Sequence, residues 1–186
     1  LDALGVTRIM GKDVLKLASD ERAVCPMPSQ GRLNLDMTAI ATSFTVTPSG
    51  VGADYDTSGF VRIGSEVMSY TRSGDVFTIV RGQRNTIAAT HKQLDTVQLC
   101  KDFVGQTSQN IVYELLTTFA GVDASYIDKA AWDAEQVGYL PRLYNAIITT
   151  PTGVSKLITE LSEQVGFFLY WDEVIEKIVF RAIRPN

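Results

Sequence analysis

The sequence has few residues of the types that build metal centres and nucleophilic active sites. It contains two cysteines, Cys25 and Cys100, and one histidine, His91. A structural zinc or iron–sulphur site needs four nitrogen or sulphur ligands, so these residues cannot form one. Neither a Gly-x-Ser-x-Gly elbow nor a His-Glu-x-x-His helix occurs. We therefore expect no catalytic residues, no bound cofactor and no metal ligands. The sequence alone allows either a disulfide between the two cysteines or two separate thiols.

Long apolar runs and basic clusters are also missing. No stretch has the length of a membrane-spanning helix, and no basic-then-apolar signal segment opens the sequence. The 17 basic and 21 acidic residues give a formal charge of −4, which argues against a sequence-specific nucleic-acid surface. The first residue is Leu1 rather than methionine, which suggests a fragment of a longer protein.

A partial calcium-loop pattern occurs at residues 54–59. Asp54, Asp56 and Ser58 place oxygens at positions one, three and five, and Gly59 follows at position six. The twelfth position is serine instead of the bidentate glutamate that such loops need, so a polar turn is the better interpretation.

Four carboxylates lie close together in the last third of the sequence, namely Asp123, Asp128, Asp133 and Glu135. An acid pair that cleaves a glycoside must face across the sugar. Asp133 and Glu135 are two residues apart and fall on different faces of one predicted helix. We therefore expect a solvated helix surface there.

Aromatic residues are also frequent in the last third: Trp132, Tyr139, Tyr144, Tyr170 and Trp171. Such residues could form a sugar-binding platform. Because they stand within apolar strands and helices, contact with the core or with another subunit is the preferred interpretation.

The middle of the sequence predicts a β meander. β-prone segments occur at residues 60–63, 67–70, 76–80 and 96–100. Gly64-Ser65 fits a two-residue type II′ turn, and Arg81 begins a polar return loop, residues 81–86. Further strands around Leu33 and Leu35 and at residues 44–47 would complete a small antiparallel barrel or sandwich.

Outside the meander, helical spacing dominates. A short helix is expected from Gly11, followed by a proline-rich connector at residues 25–31. Later helices are expected from Ser108 as the N-cap to Gly121, over residues 127–136 and over residues 154–165. Strands at residues 145–150, 167–171 and 178–183 would give a helix-on-sheet module, so the predicted fold class is α+β.

The motif residues of the meander resemble a recurrent module of bacteriophage tail hub and baseplate proteins. They are Gly64, Ser65, Glu66, Arg81, Gly82, Thr86 and His91. The resemblance extends through residues 11–33 and 171–185 and covers most of the chain. One departure is Asn85, which replaces the glycine usual after the arginine–glycine turn; asparagine tolerates positive φ, so we expect the turn to survive.

The resemblance implies a structural, non-enzymatic component of a phage tail tip or baseplate hub, in the virion tail and assembled in the host cytoplasm. It would join the tail tube to distal tip proteins as a homotrimer around the DNA path, contacting DNA only in passage. The expected division is residues 1–32 for the helix and connector, 33–102 for the β module and 103–186 for the α+β hub-like module. A tail-associated cell-wall hydrolase and a receptor- or glycan-binding module remain alternatives.

Four further expectations complete this interpretation. A reducing cytoplasm favours buried, separate thiols at Cys25 and Cys100. His91 is expected to hydrogen-bond the backbone of the return loop. Gly82 is expected to adopt backbone angles that residues with a Cβ atom avoid. Parts of residues 167–169 and 178–180 are expected to be buried only between subunits.

Overall fold

The computed structural model describes residues 14–184, which form two compact units. The first, called here the β unit, contains Val24–Gln106 and Leu143–Gly153. The second, called here the α+β unit, contains the other described residues. Each unit is assembled from segments that are separate in the sequence, whereas the expected modules were contiguous; those module boundaries stay a prediction. The predicted start of the first helix lies outside the described residues.

The β unit contains nine strands and one 3₁₀ helix, Val51–Asp54. The strands are β1 Val24–Cys25, β2 Arg32–Leu33, β3 Ser43–Thr47, β4 Ser58–Ile63, β5 Glu66–Ser73, β6 Val76–Gln83, β7 Gln98–Thr107, β8 Leu143–Ile148 and β9 Thr152–Gly153. The predicted strand around Leu33 and Leu35 is only two residues long, and Leu35 is exposed.

Seven of these strands form one sheet in the order β2-β3-β6-β5-β4-β7-β8. The sheet curls until β2 meets the residues before β7. The Leu33 N–H donates to the Asp95 carbonyl at 2.9 Å, and the Val97 N–H donates to the Gly31 carbonyl at 3.0 Å. Strands β2 to β7 therefore close into a small barrel, while β8 continues the sheet beyond it. Strands β1 and β9 pair separately.

Alternating side chains fill the barrel, since successive residues of a strand face opposite sides. Met68 and Tyr70 of β5 and Phe77 and Ile79 of β6 belong to one buried cluster. The ring of Phe77 stacks on that of Phe44 with centroids 5.0 Å apart. The two-residue turn between β4 and β5 has Gly64 at φ 58°, as the predicted type II′ turn requires.

The described part of the α+β unit contains two 3₁₀ helices, three α-helices and one antiparallel hairpin. Its elements are the 3₁₀ helix Val14–Ser19, α1 Ser108–Glu114 with a π-helical turn Leu115–Phe119, the 3₁₀ helix Ala124–Tyr126, α2 Lys129–Tyr139, α3 Val154–Val165, β10 Phe167–Asp172 and β11 Lys177–Ala182. Gly121 and Gly166 have positive φ, 68° and 86°, directly after helical segments, as predicted for Gly121.

One face of the hairpin packs on helix α2. Trp132 is 1% exposed, its ring lies 5.5 Å from that of Phe180, and its indole N–H donates to the Ile178 carbonyl at 3.0 Å. Phe167 is buried against Phe180 as well. Phe167, Ile178 and Phe180 are thus covered within their own unit, so the predicted burial between subunits concerns only the other residues of the two segments. Phe168, on the other face, is 47% exposed.

The predicted N-cap of α1 is also corrected. Thr107 occupies the N-cap position, and Ser108 is the first helical residue. The Ser108 hydroxyl is fully buried and donates to the Gln136 side-chain oxygen at 2.6 Å. Its role is therefore to connect α1 with α2.

Candidate functional site

The motif residues of the meander meet at one end of the barrel. Glu66 is the first residue of β5 and shares the inward face with Met68 and Tyr70, because strand side chains alternate. A carboxylate at that position is enclosed by the barrel, and the Glu66 side chain is 0% exposed. A buried carboxylate requires hydrogen-bond donors on its oxygens.

Arg81 supplies the largest part of those donors. Its Nε lies 2.8 Å from Glu66 Oε1 and its Nη2 lies 2.7 Å from Oε2, a bidentate ion pair. The pairing of β5 with β6 shifts register between Val67 and Ser69, at the place where Arg81 and Gly82 lie on β6. Gly82 has φ 60°, the left-handed conformation that such a bulge uses. The bulge thus accompanies the inward placement of Arg81.

Three more donors complete the set of hydrogen bonds to the Glu66 carboxylate. The backbone N–H groups of Gly82 and Ala89 each lie 3.0 Å from a Glu66 oxygen, and His91 Nε2 lies 2.8 Å from Oε2. Burial by itself raises the pKa of Glu66, but the hydrogen bonds from Arg81, Ala89, His91 and Gly82 outweigh it and lower that pKa to about 2. We call Glu66, Arg81, Gly82, Ala89 and His91 the Glu66 cluster.

The Glu66 cluster holds two loops. The Arg81 Nη1 donates to the Thr38 carbonyl at 2.6 Å, and its Nη2 also donates to the Ala89 carbonyl. Thr38 belongs to the connection between β2 and β3, whereas Ala89 belongs to the connection between β6 and β7. One guanidinium therefore fixes both connections at the same end of the barrel.

Thr86 fastens the return loop a second time. Its hydroxyl donates to the Gln83 carbonyl at 2.7 Å and accepts the Val67 N–H at 3.0 Å. Asn85, directly before it, adopts φ 62°. The prediction that the turn survives with asparagine at this position is confirmed.

The partner predicted for His91 is corrected. Its ring contacts the Glu66 carboxylate instead of the return-loop backbone, and its own backbone pairs with Met37 through two 2.9 Å hydrogen bonds. The return loop is held by Glu66, which accepts the Gly82 N–H. The arginine and the histidine of the motif thus act on one shared carboxylate, a relation that residue spacing did not reveal.

The chemistry open to the Glu66 cluster is limited by its burial. Both carboxylate oxygens accept hydrogen bonds, and the side chains of Glu66, Arg81 and His91 are 0%, 11% and 5% exposed. A general base must reach a proton on a substrate. The observed geometry instead suits a structural role in which a buried ion pair fixes loop positions.

The calcium-like turn is held by an arginine that the sequence analysis did not single out. The Arg72 guanidinium donates to the carbonyls of Tyr55 and Asp56, and the Tyr55 hydroxyl donates to the Val97 carbonyl. These hydrogen bonds fix the backbone of the turn against β5 and against the residue before β7. Among the described residues, no group of three or more His, Cys, Asp or Glu side chains is placed to hold a metal ion.

Among the four carboxylates of the last third, the exposure of one, Glu135, was predicted wrongly. Glu135 was expected on a solvated helix face, but it is only 5% exposed. It accepts the Ala182 N–H at 2.9 Å and pairs with Arg184 at 2.7 Å and Arg181 at 3.1 Å. Burial raises the pKa of Glu135, yet the Ala182 N–H and the two arginines lower it more. Asp133 lies at the surface, with Gln109 and Lys129 as partners.

The aromatic residues of the last third separate into two groups. Trp132 is in the core, and Trp171 packs edge-on against Tyr126 at 5.7 Å, which agrees with the core interpretation. Tyr139 is 53% exposed beneath the Arg184 guanidinium, and Tyr170 is 38% exposed. Trp132 is enclosed by its own unit and therefore does not contribute to a surface platform.

The proline-rich connector is fastened by Gln98, another residue that the sequence analysis missed. Its amide nitrogen donates to the Met27 carbonyl at 3.0 Å, and its amide oxygen accepts the Ser29 N–H at 3.2 Å. Cys25 and Cys100 are buried as separate thiols with no disulfide between them, as expected. Burial raises the pKa of Cys100 to about 12.

Comparisons with known proteins do not assign the chain to a family. No protein-family model matches it, and no curated protein matches its sequence. Within residues 14–184, no helix is long and apolar enough to cross a membrane. The function is therefore inferred from the contacts described above.

Proposed function

We propose that the chain is a non-catalytic structural component of a phage tail tip or baseplate hub. In this role it joins the tail tube to distal tip proteins and surrounds the DNA path, in a virion tail assembled in the host cytoplasm. The observation that carries the proposal is that the motif residues shared with such modules lie together around the Glu66 cluster. Residues that are scattered over the sequence thus serve one structural purpose.

A rigid end of the barrel suits a joint between subunits. The two connections fixed by Arg81 expose Ile40 at 88% and Ile87 at 85%. Loops that are already ordered lose less conformational entropy when a neighbouring subunit binds. Exposed branched side chains on such loops provide apolar contact area for that neighbour.

The charge of the chain is compatible with DNA that passes without binding. Its formal charge is −4, so a channel wall of this composition would repel phosphate groups more than attract them. The proposed partners are further copies of the chain, as a homotrimer, together with neighbouring tail proteins.

The direct test is cryo-electron microscopy of the assembled particle that contains the full-length gene product. We expect three copies around the central channel between the tail tube and the tip. Density for this fold outside the tail, or a single copy without contact to tube or tip proteins, would contradict the proposal. Gold labelling of a tagged full-length protein gives an independent location.

The two alternatives have less support from the geometry. Glu135 is occupied by two arginines, and Trp132 is buried, which argues against the acid pair and against the aromatic platform. We expect purified protein to release no soluble fragments from peptidoglycan or capsule. Release that disappears in Asp133→Asn would favour the hydrolase instead.

A further inference from the structure

The seven-stranded sheet has one open edge, at β8. At the opposite end of the strand order, β2 is covered by its hydrogen bonds to residues 94–97. Strand β8 has β7 as its neighbour on one side, and no described strand pairs with its other side. Leu143 at its start is 67% exposed. An edge of this kind presents a row of N–H and C=O groups that can pair with another strand.

The α+β unit has a second open edge, at β10. Strand β10 pairs with β11, and within residues 14–184 no strand pairs with its other side. Phe168 and Tyr170 stack with ring centroids 5.9 Å apart and are 47% and 38% exposed. The outward face beside this edge is therefore aromatic.

The two edges match in length, and one residue beside each edge carries a charge opposite to the other. Both strands contain six residues, and β8 contains no charged residue. If β8 and β10 pair antiparallel over their full lengths, Leu143 lies opposite Asp172 and Ile148 opposite Phe167. This register places Arg142 opposite Glu173. Both side chains are exposed, and neither has an ion-pair partner among the described residues.

We propose that β8 of one copy of the chain pairs antiparallel with β10 of a second copy, with Arg142 of one facing Glu173 of the other. The contact uses two different surfaces of each chain, the kind of interface from which rings are built. The proposal rests on the self-association included in the proposed function and assigns the strands that carry it. Hydrogen bonds between edges would supply the affinity, and the charge pair would select the register.

Charge reversal tests the register. In Arg142→Glu both facing positions are acidic, and in Glu173→Arg both are basic. We expect each variant alone to associate about tenfold more weakly than the unchanged chain in sedimentation experiments at low salt. An equimolar mixture of the two variants restores opposite charges across the contact and should recover association. Glu163→Arg, an exposed residue of α3 with the same change of charge, should leave association unchanged.

Cysteine cross-linking tests the pairing without relying on energies. In the same register Ile147 lies opposite Phe168, and directly paired residues in a sheet are close enough for a disulfide. Mild oxidation of Ile147→Cys mixed with Phe168→Cys should give a covalent mixed dimer. Ile147→Cys mixed with Glu163→Cys should not.

The outcomes separate this proposal from the wider one. If the unchanged chain associates but the variant mixture gives neither recovery nor the specific disulfide, the β8–β10 contact is wrong while a hub function stands. If the chain stays monomeric up to high micromolar concentration, the contact is wrong too. The particle structure then decides the hub function separately.

Discussion

Removing the charge of Glu66 gives the most informative perturbation of the barrel. Glu66→Gln preserves the shape of the side chain but places an amide N–H₂ where the Glu66 cluster supplies only donors. It also leaves the Arg81 side chain, 11% exposed, without its counter-charge. Breaking one partner of a buried ion pair costs about 3 to 5 kcal/mol. For a chain of this size, that loss lowers Tm by roughly 6 to 20 °C.

The pH dependence provides a second measure of the same charge. The pKa of Glu66 is lowered from its ordinary 4.5 to about 2, so its stabilisation is complete above about pH 4.5 and is lost as the pH falls through about 2. The difference corresponds to about 3 kcal/mol. The free energy of unfolding can be measured in urea by circular dichroism. For the unchanged chain it should fall more steeply between pH 4.5 and about 2 than it does for Glu66→Gln.

A surface variant and a double variant act as controls. Glu163→Gln removes an exposed carboxylate and should change the free energy of unfolding by less than about 0.5 kcal/mol. Glu66→Met combined with Arg81→Leu removes both charges and should recover part of the lost stability, because apolar residues can replace a buried ion pair but not its hydrogen bonds to the backbone. A loss below about 1 kcal/mol in Glu66→Gln, or equal losses at Glu66 and Glu163, would refute the assignment of Glu66 as the centre of the cluster.

Two further predictions concern the backbone and the thiols. Gly82→Val should destabilise the β unit by about 1 to 3 kcal/mol or more, since φ is 60° and an added Cβ would lie 3.1 Å from the Thr86 carbonyl oxygen. Gly105→Val has the same φ problem without that neighbour, so equal losses in the two variants would show that crowding is irrelevant. Cys100, with a pKa of about 12, should resist iodoacetamide at pH 8 until the protein is unfolded. Rapid labelling of the native chain would contradict its burial.

Local sequence signals predicted the elements of this fold well. Gly64 and Gly166 mark the turn and helix end where the structure needs positive φ, and the spacing of apolar residues predicted helix α3. Such signals act within a few residues of the backbone they determine. The α+β class followed from them because it depends only on which elements occur and in what order.

Contacts between distant segments were predicted less well. Glu135 was misjudged because its arginine partners lie 46 and 49 residues away on β11 and just beyond it. The partner of His91 was missed for a similar reason: Glu66 is 25 residues distant and faces inward only because of the hairpin register. The resemblance grouped these motif residues, but it did not indicate which atoms meet.

The energetics of the Glu66 cluster indicate why an ion pair occupies a place where apolar side chains would suffice. The desolvation of two charges offsets most of their attraction, so the pair contributes little net stability compared with a well-packed apolar pair. An apolar pair could not donate to the Thr38 and Ala89 carbonyls or accept the Ala89 and Gly82 N–H groups. The double variant should therefore regain only part of the free energy of unfolding that Glu66→Gln loses, because these backbone groups lose their partners. The amides of the β6–β7 connection should also exchange faster with solvent. A loss of loop order larger than the loss of overall stability is expected if the Glu66 cluster serves to position a surface for a neighbouring subunit.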